Sequence, residues 1–112
     1  MNRSVTTLFA GALVFAGLAG TNLYAQKGDS AKGKDVFDAN CSVCHNSDSE
    51  EVKIGPGLKG LMKKAKMSTA DKKPTDANIL DQINNGGNGM PPYKDTLSDA
   101  EKTNLIAYLK TL

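Results

Sequence analysis

The sequence predicts an all-α domain of three to five helices wrapped around one flat group that the amino acids do not themselves supply. Three observations carry this expectation. Apolar residues recur at helical spacing in several stretches, most clearly Leu105, Tyr108, Leu109 and Leu112 at i, i+3, i+4 and i+7, while alternating β-branched runs are almost absent. The 112 residues contain no Trp and only three Phe and three Tyr, so a small domain has little aromatic bulk with which to fill a core. The third observation is the run Cys41-Ser42-Val43-Cys44-His45, which concentrates both cysteines and the one histidine of the chain in five residues.

The spacing C-x-x-C-H is the attachment signature of a c-type haem. On a helical turn residues i and i+3 project from one face, so Cys41 and Cys44 can both reach the edge of one ring. His45 can then swing beneath that ring and offer a nitrogen to the iron, as proximal ligands do. Two other readings compete with this one. A thioredoxin-like dithiol needs a βαβ context, which the neighbouring residues do not offer. A structural zinc site wants four ligands, and there is no further Cys or His.

Taken in order, the chain opens with a segment of secretory type. Arg3 supplies a positive start, residues 8–18 an apolar stretch rich in Ala and Gly, and Leu23-Tyr24-Ala25 a small residue before a cut near Gln26. Residues 1–25 are therefore expected to be a cleaved signal peptide and 26–112 a single domain. The apolar run is shorter than the ~20 residues that span a bilayer, so no stable membrane insertion is expected after cleavage. Export to the periplasm suits a covalently held haem, because unattached cysteines would tend to pair there. Losing Arg3 lowers the formal net charge from +2 to +1, a balance that implies no nucleic-acid partner.

The first helix is expected from an N-cap at Asp29 or Ser30 through Asn40, into the haem motif. Gly33, Phe37 and Cys41 share one of its faces, and a glycine there either marks the close approach of another backbone or is merely tolerated. Residues 46–51 read as a solvated loop, and Ile54-Gly55-Pro56-Gly57-Leu58 as a rigid turn. Leu58, Leu61, Met62 and Ala65 have the spacing of a short amphipathic helix, with Lys59, Lys63, Lys64 and Lys66 largely off that stripe as a wet face or a docking patch. Residues 67–74 read as a hydrophilic connection. Thr75 or Asp76 caps a helix with Ile79, Leu80 and Ile83 inward, ending at Asn84-Asn85-Gly86. The stretch from Gly86 to Tyr93 cannot be helical: its glycines permit positive φ, and Pro91-Pro92 stiffen its far end. Ser98-Asp99-Ala100-Glu101 then forms a capping box for the last helix, whose apolar stripe has its natural partner in the face of Gly33 and Phe37.

With one His, the iron's sixth position falls to Met, Lys, Tyr, water or nothing. Met90, on its heavily specified loop, is the best candidate; Met62 and Met67 are the alternatives, the first reading as core and the second as part of a flexible polar stretch. If protein atoms hold both axial positions, no substrate binds the iron without displacing one. Reversible one-electron transfer is then the expected activity, and the chain is not expected to be an enzyme.

These pieces together resemble the class I, small monohaem cytochromes c of the short bacterial type, over nearly all of residues 26–112. Gly33-x-x-x-Phe37 precedes Cys41-x-x-Cys44-His45, followed by Gly55-Pro56-x-Leu58-x-Gly60, then Gly89-Met90-Pro91, then a closing helix with Tyr108 and Leu112. The resemblance implies the cytochrome c fold around one covalent haem c, with the first and last helices crossing near Gly33 and Phe37. It also implies that the Pro56 carbonyl accepts a hydrogen bond from the ring of the proximal His45. The chain lacks the lysine-rich surround of the mitochondrial branch, and no Arg remains after residue 25. A soluble monomeric shuttle with transient redox partners is expected, or alternatively a dedicated cytochrome subunit of a dehydrogenase or oxidase, or a thiol-disulfide protein using Cys41 and Cys44.

Overall fold

The computed structural model describes residues 27–68 and 71–112; the expected signal peptide, residues 1–25, lies outside the described residues. Among the described residues, three α-helices and one 3-10 turn follow one another as α1 (Ser30–Asn40), the 3-10 turn (Leu61–Lys63), α2 (Asp76–Asn85) and α3 (Asp99–Leu109). None of the described helices is long and apolar enough to cross a membrane.

Each helix starts where a side chain can satisfy amide groups that have no partner within the helix. Asp29, rather than Ser30, caps α1: its Oδ1 accepts from Ala31 N–H at 2.9 Å and Lys32 N–H at 3.1 Å. Thr75 caps α2, its Oγ1 accepting from Asn78 N–H at 3.2 Å. The capping box of α3 is closed in both directions, Ser98 N–H to Glu101 Oε2 at 2.8 Å and Glu101 N–H to Ser98 Oγ at 3.2 Å.

The first and last helices cross where the sequence expects. A Cβ on Gly33 would collide with the backbone carbonyl of Asn104 and with the Tyr108 Cβ, so this glycine is required by contact and not merely tolerated. One turn along, Phe37 is 1% exposed and meets Tyr108 in a tilted pair, ring centroids 5.5 Å apart at 58°. Burial of Phe37 and Leu105 contributes about 1.5–3 kcal/mol each. Ile79 and Ile83 of α2 complete this side of the core.

Two expectations fail in the middle of the chain. The amphipathic helix over residues 58–65 is only the 3-10 turn, and Ala65 is exposed. Gly60 enters that turn in the left-handed region (φ +68°) and Lys64 leaves it extended (ψ 145°), so α geometry cannot propagate at either end. Met67, expected in a flexible polar connection, is buried in the core, and its N–H donates to the Lys72 carbonyl at 2.8 Å. Leu97, Ile106 and the buried Lys102 also belong to the interior, although the apolar stripe of α3 does not include them. Leu112 lies beyond the end of that helix and packs partly against the core.

Candidate functional site: a cavity ringed by two thiols, an imidazole and a thioether

The site begins where α1 stops. Cys41 is its C-cap, with N–H donating to the Phe37 carbonyl at 2.7 Å, and the chain then turns tightly enough for Cys44 N–H (3.1 Å) and His45 N–H (2.9 Å) to share the Cys41 carbonyl. Ser42 Oγ donates to the Asp38 carbonyl at 2.7 Å, binding the turn back to the helix. One turn thus carries both sulfurs and the imidazole on the same side. Both cysteines are free and half-buried. Burial pushes the Cys41 thiol up to about 11, with the neighbouring Cys44 adding to the effect.

The imidazole is oriented by a loop that folds back over residues 46–58. His45 Nδ1 lies 2.7 Å from the Pro56 carbonyl. That oxygen can only accept, so Nδ1 carries the proton and Nε2 keeps a bare lone pair, the tautomer a metal ligand needs. Gly55 supports the other edge of the arrangement, its N–H donating to the Cys44 carbonyl at 2.7 Å. A Cβ there would stand 2.6 Å from the imidazole Cε1, so only glycine lets the backbone lie against the ring.

Met90 is presented by a miniature hairpin. Gly87 N–H donates to the Met90 carbonyl at 2.9 Å and Met90 N–H to the Gly87 carbonyl at 3.0 Å, around Asn88 (φ 52°) and Gly89 (φ 90°). Positive φ at both central residues is the type I′ turn for which Asn-Gly is the favoured pair. From α2, Gln82 Nε2 lies 3.2 Å from the Gly86 carbonyl and 3.6 Å from the Met90 sulfur.

These elements enclose a cavity of about 240 Å³ whose walls are largely apolar, with Leu61, Ile79, Ile83, Leu105 and Leu109 among them. Cys41, Cys44, His45, Pro56 and Met90, the five residues singled out in the sequence, all line it. Of the two alternative methionines, Met67 reaches the cavity and Met62 packs against the core instead. The donor set, two thiols, one bare imidazole nitrogen and thioether sulfur around an apolar slot, fits haem c.

Sequence reasoning passes over Gln82, Tyr93 and the role of Gly55. Gln82 has a usable signal, since it sits three residues after Ile79 and one before Ile83, at the border of an apolar face. Burial raises the Tyr93 hydroxyl above its usual range, with lesser effects from Cys41 and Cys44, and keeps it an O–H donor.

Comparison with known proteins identifies the family. Residues 28–109 match the family described as cytochrome c oxidase, cbb3-type, subunit III. Cytochrome c6 of Leptolyngbya boryana is 38% identical over 81 residues, covering 72% of this chain and 89% of that protein. Cytochrome c6 of Picosynechococcus sp. is 34% identical over 100 residues, 88% of this chain and 82% of its own. The cbb3-type cytochrome c oxidase subunit CcoP of Azospirillum sp. is 32% identical over 93 residues, 79% of this chain but 30% of that protein. The solved structure of cytochrome c6 from the diatom Phaeodactylum tricornutum superposes with a TM-score of 0.59 at 31% identity, covering 75% of this chain and 93% of that one. With the crossing helices, the C-x-x-C-H turn and the apolar cavity all in one arrangement, the chain belongs to the cytochrome c family of electron carriers, built around one covalently attached haem c.

Proposed function

We propose that this chain is a periplasmic one-electron shuttle in which haem c is attached through Cys41 and Cys44 and ligated by His45 Nε2 on one side and Met90 Sδ on the other. The observation that carries the reading is the convergence of all four side chains on one apolar cavity, with Nδ1 of His45 occupied by the Pro56 carbonyl and Nε2 left bare. Bound there, the haem supplies a ferric/ferrous couple, and a thioether ligand favours the ferrous form. The rest is the work of the chain. Cys41 and Cys44 anchor the ring's edge, and the Pro56 carbonyl fixes the tautomer of His45 and raises its basicity. Met90 Sδ would hold the group from the side opposite His45 and exclude water and small ligands there. It is preferred over Met67 because the Met67 side chain is packed among the core residues, whereas Met90 stands outside that cluster.

The shuttle requires export, so residues 1–25 act as the signal and residues 26–112 as the mature monomer. Docking is brief and runs through the exposed edge beside the cysteines, where Val43 (68%) and Ile54 (73%) stand open to solvent. A thiol-disulfide role is disfavoured, because a Cys41 thiol raised to about 11 is scarcely ionised at neutral pH and the thiolate is the nucleophile. A second reading, a dedicated cytochrome subunit, draws support from the match to the cbb3-type subunit family and from CcoP; stable co-purification with an oxidase or dehydrogenase would favour it.

Met90→Ala tests the assignment. The haem stays covalently attached, the reduction potential falls, and the reduced protein binds carbon monoxide. An unchanged potential and spectrum, with no carbon monoxide binding, refutes Met90 as the ligand.

A further inference from the structure

Residues 93 and 94 form a junction at which all three helices hold the loop that carries Met90. Tyr93 N–H donates to the Ile83 carbonyl at 2.9 Å and Lys94 N–H to the Asn84 carbonyl at 3.3 Å, both on α2. From α3, Lys102, 5% exposed, donates through Nζ to the Lys94 carbonyl at 2.7 Å. The Tyr93 hydroxyl donates to the Asn40 carbonyl at 3.0 Å, at the end of α1. Only Pro91 and Pro92 separate this junction from Met90. Their rings lock φ, so a displacement at Tyr93 is passed to Met90 rather than absorbed between them.

The Asn40 carbonyl belongs to the last turn of α1, whose carbonyls have no partner within the helix. Tyr93 satisfies it at the residue directly before Cys41. A single side-chain bond therefore joins the loop of the sixth ligand to the turn that carries both sulfurs and the fifth ligand.

We propose that Tyr93 is a positioning residue for the sixth ligand: its hydroxyl bond to the Asn40 carbonyl, relayed through Pro91-Pro92, holds the Met90 thioether on the iron against exchange with exogenous ligands. This rests on Met90 being that ligand. The effect is largest in the ferric form, which a thioether stabilises less than the ferrous form.

The test uses the haem-loaded protein. Ferric Tyr93→Phe is titrated with imidazole, and the weak red absorption band of sulfur-bound ferric haem is followed in parallel. Loss of one partly buried hydrogen bond raises the imidazole affinity roughly 3- to 10-fold, with earlier loss of the band. Lys102→Met, which frees the Lys94 carbonyl from α3, shifts the affinity in the same direction. Asn104→Ala serves as the control for general loosening: it loses a more exposed bond of similar length, from Asp29 N–H at 2.9 Å, away from the Met90 loop, and leaves imidazole affinity at the parent value while lowering thermal stability. Parent-like affinity and band in Tyr93→Phe, or an equal rise in Asn104→Ala, overturns the proposal. A parent protein that never shows the sulfur band instead overturns the assignment of Met90, and the proposal with it.

Discussion

The two sides of the cavity are built by different means. On the His45 side, the imidazole follows both cysteines in one turn, and its orienting carbonyl, Pro56, lies only 11 residues further along. On the Met90 side, the thioether comes from a loop held by partners as distant as Asn40, 53 residues from Tyr93. The first is a local device whose parts fold together. The second is correct only when α1, α2 and α3 are already in place, so strain and loss of stability are expected to reach Met90 sooner than His45.

Removing the two proposed ligands exposes this contrast most strongly. His45→Ala is expected to abolish accumulation of haem-loaded protein, because it removes the ligand nearest the attachment points. Met90→Ala still yields a folded, haem-loaded protein; comparing haem stain per mass of exported chain checks both, and equal yields would erase the asymmetry.

Glycine substitutions give the next effect. Gly55→Ala drives a Cβ to 2.6 Å from the imidazole Cε1. The ring or the loop must shift, at a cost of about 1–3 kcal/mol typical of overpacking, read as a lower urea midpoint. Gly89→Ala has open space around its Cβ and meets only the penalty of its left-handed backbone (φ 90°), about 1–2 kcal/mol. Its signature is local: the ferric protein loses its sulfur band at lower urea than it unfolds. Simultaneous loss would show that the Met90 loop is no less secure than the rest.

Gln82→Leu is the mildest probe. It removes an N–H group whose nitrogen lies 3.6 Å from the Met90 sulfur and whose positive end disfavours added positive charge at the iron. A fall in reduction potential smaller than that of Met90→Ala is expected by redox titration of the two variants, with a slightly lower urea midpoint because the bond to the Gly86 carbonyl is lost as well.

Much of this architecture is legible in the residues alone. The capping residues of α2 and α3 and the crossing at Gly33 and Phe37 are all marked by residues close in sequence or at helical spacing. The helix expected over residues 58–65 misleads because its apolar residues at helical spacing outweigh one glycine. Gly60 in the left-handed region reduces that helix to a single turn, a choice that depends on where the flanking segments must go. Met67 misleads for the opposite reason, since polar neighbours along the chain conceal a side chain that the fold turns inward. The Asn88-Gly89 pair carries a turn signal that the run of glycines around it obscures.

What the sequence determined by itself is the donor chemistry: two thiols and an imidazole within five residues, a spacing that one turn of chain brings together. It also determined the three α-helices, whose caps and apolar periodicity are short-range. The Pro56–His45 contact was implied by the family resemblance, but tertiary structure alone decided that Gln82 faces the Met90 sulfur and that Tyr93 and Lys102 tie the loop of Met90 to two other helices. Hydrogen bonds of that kind join atoms that no spacing rule relates, and they form only where the packed helices bring the partners within reach.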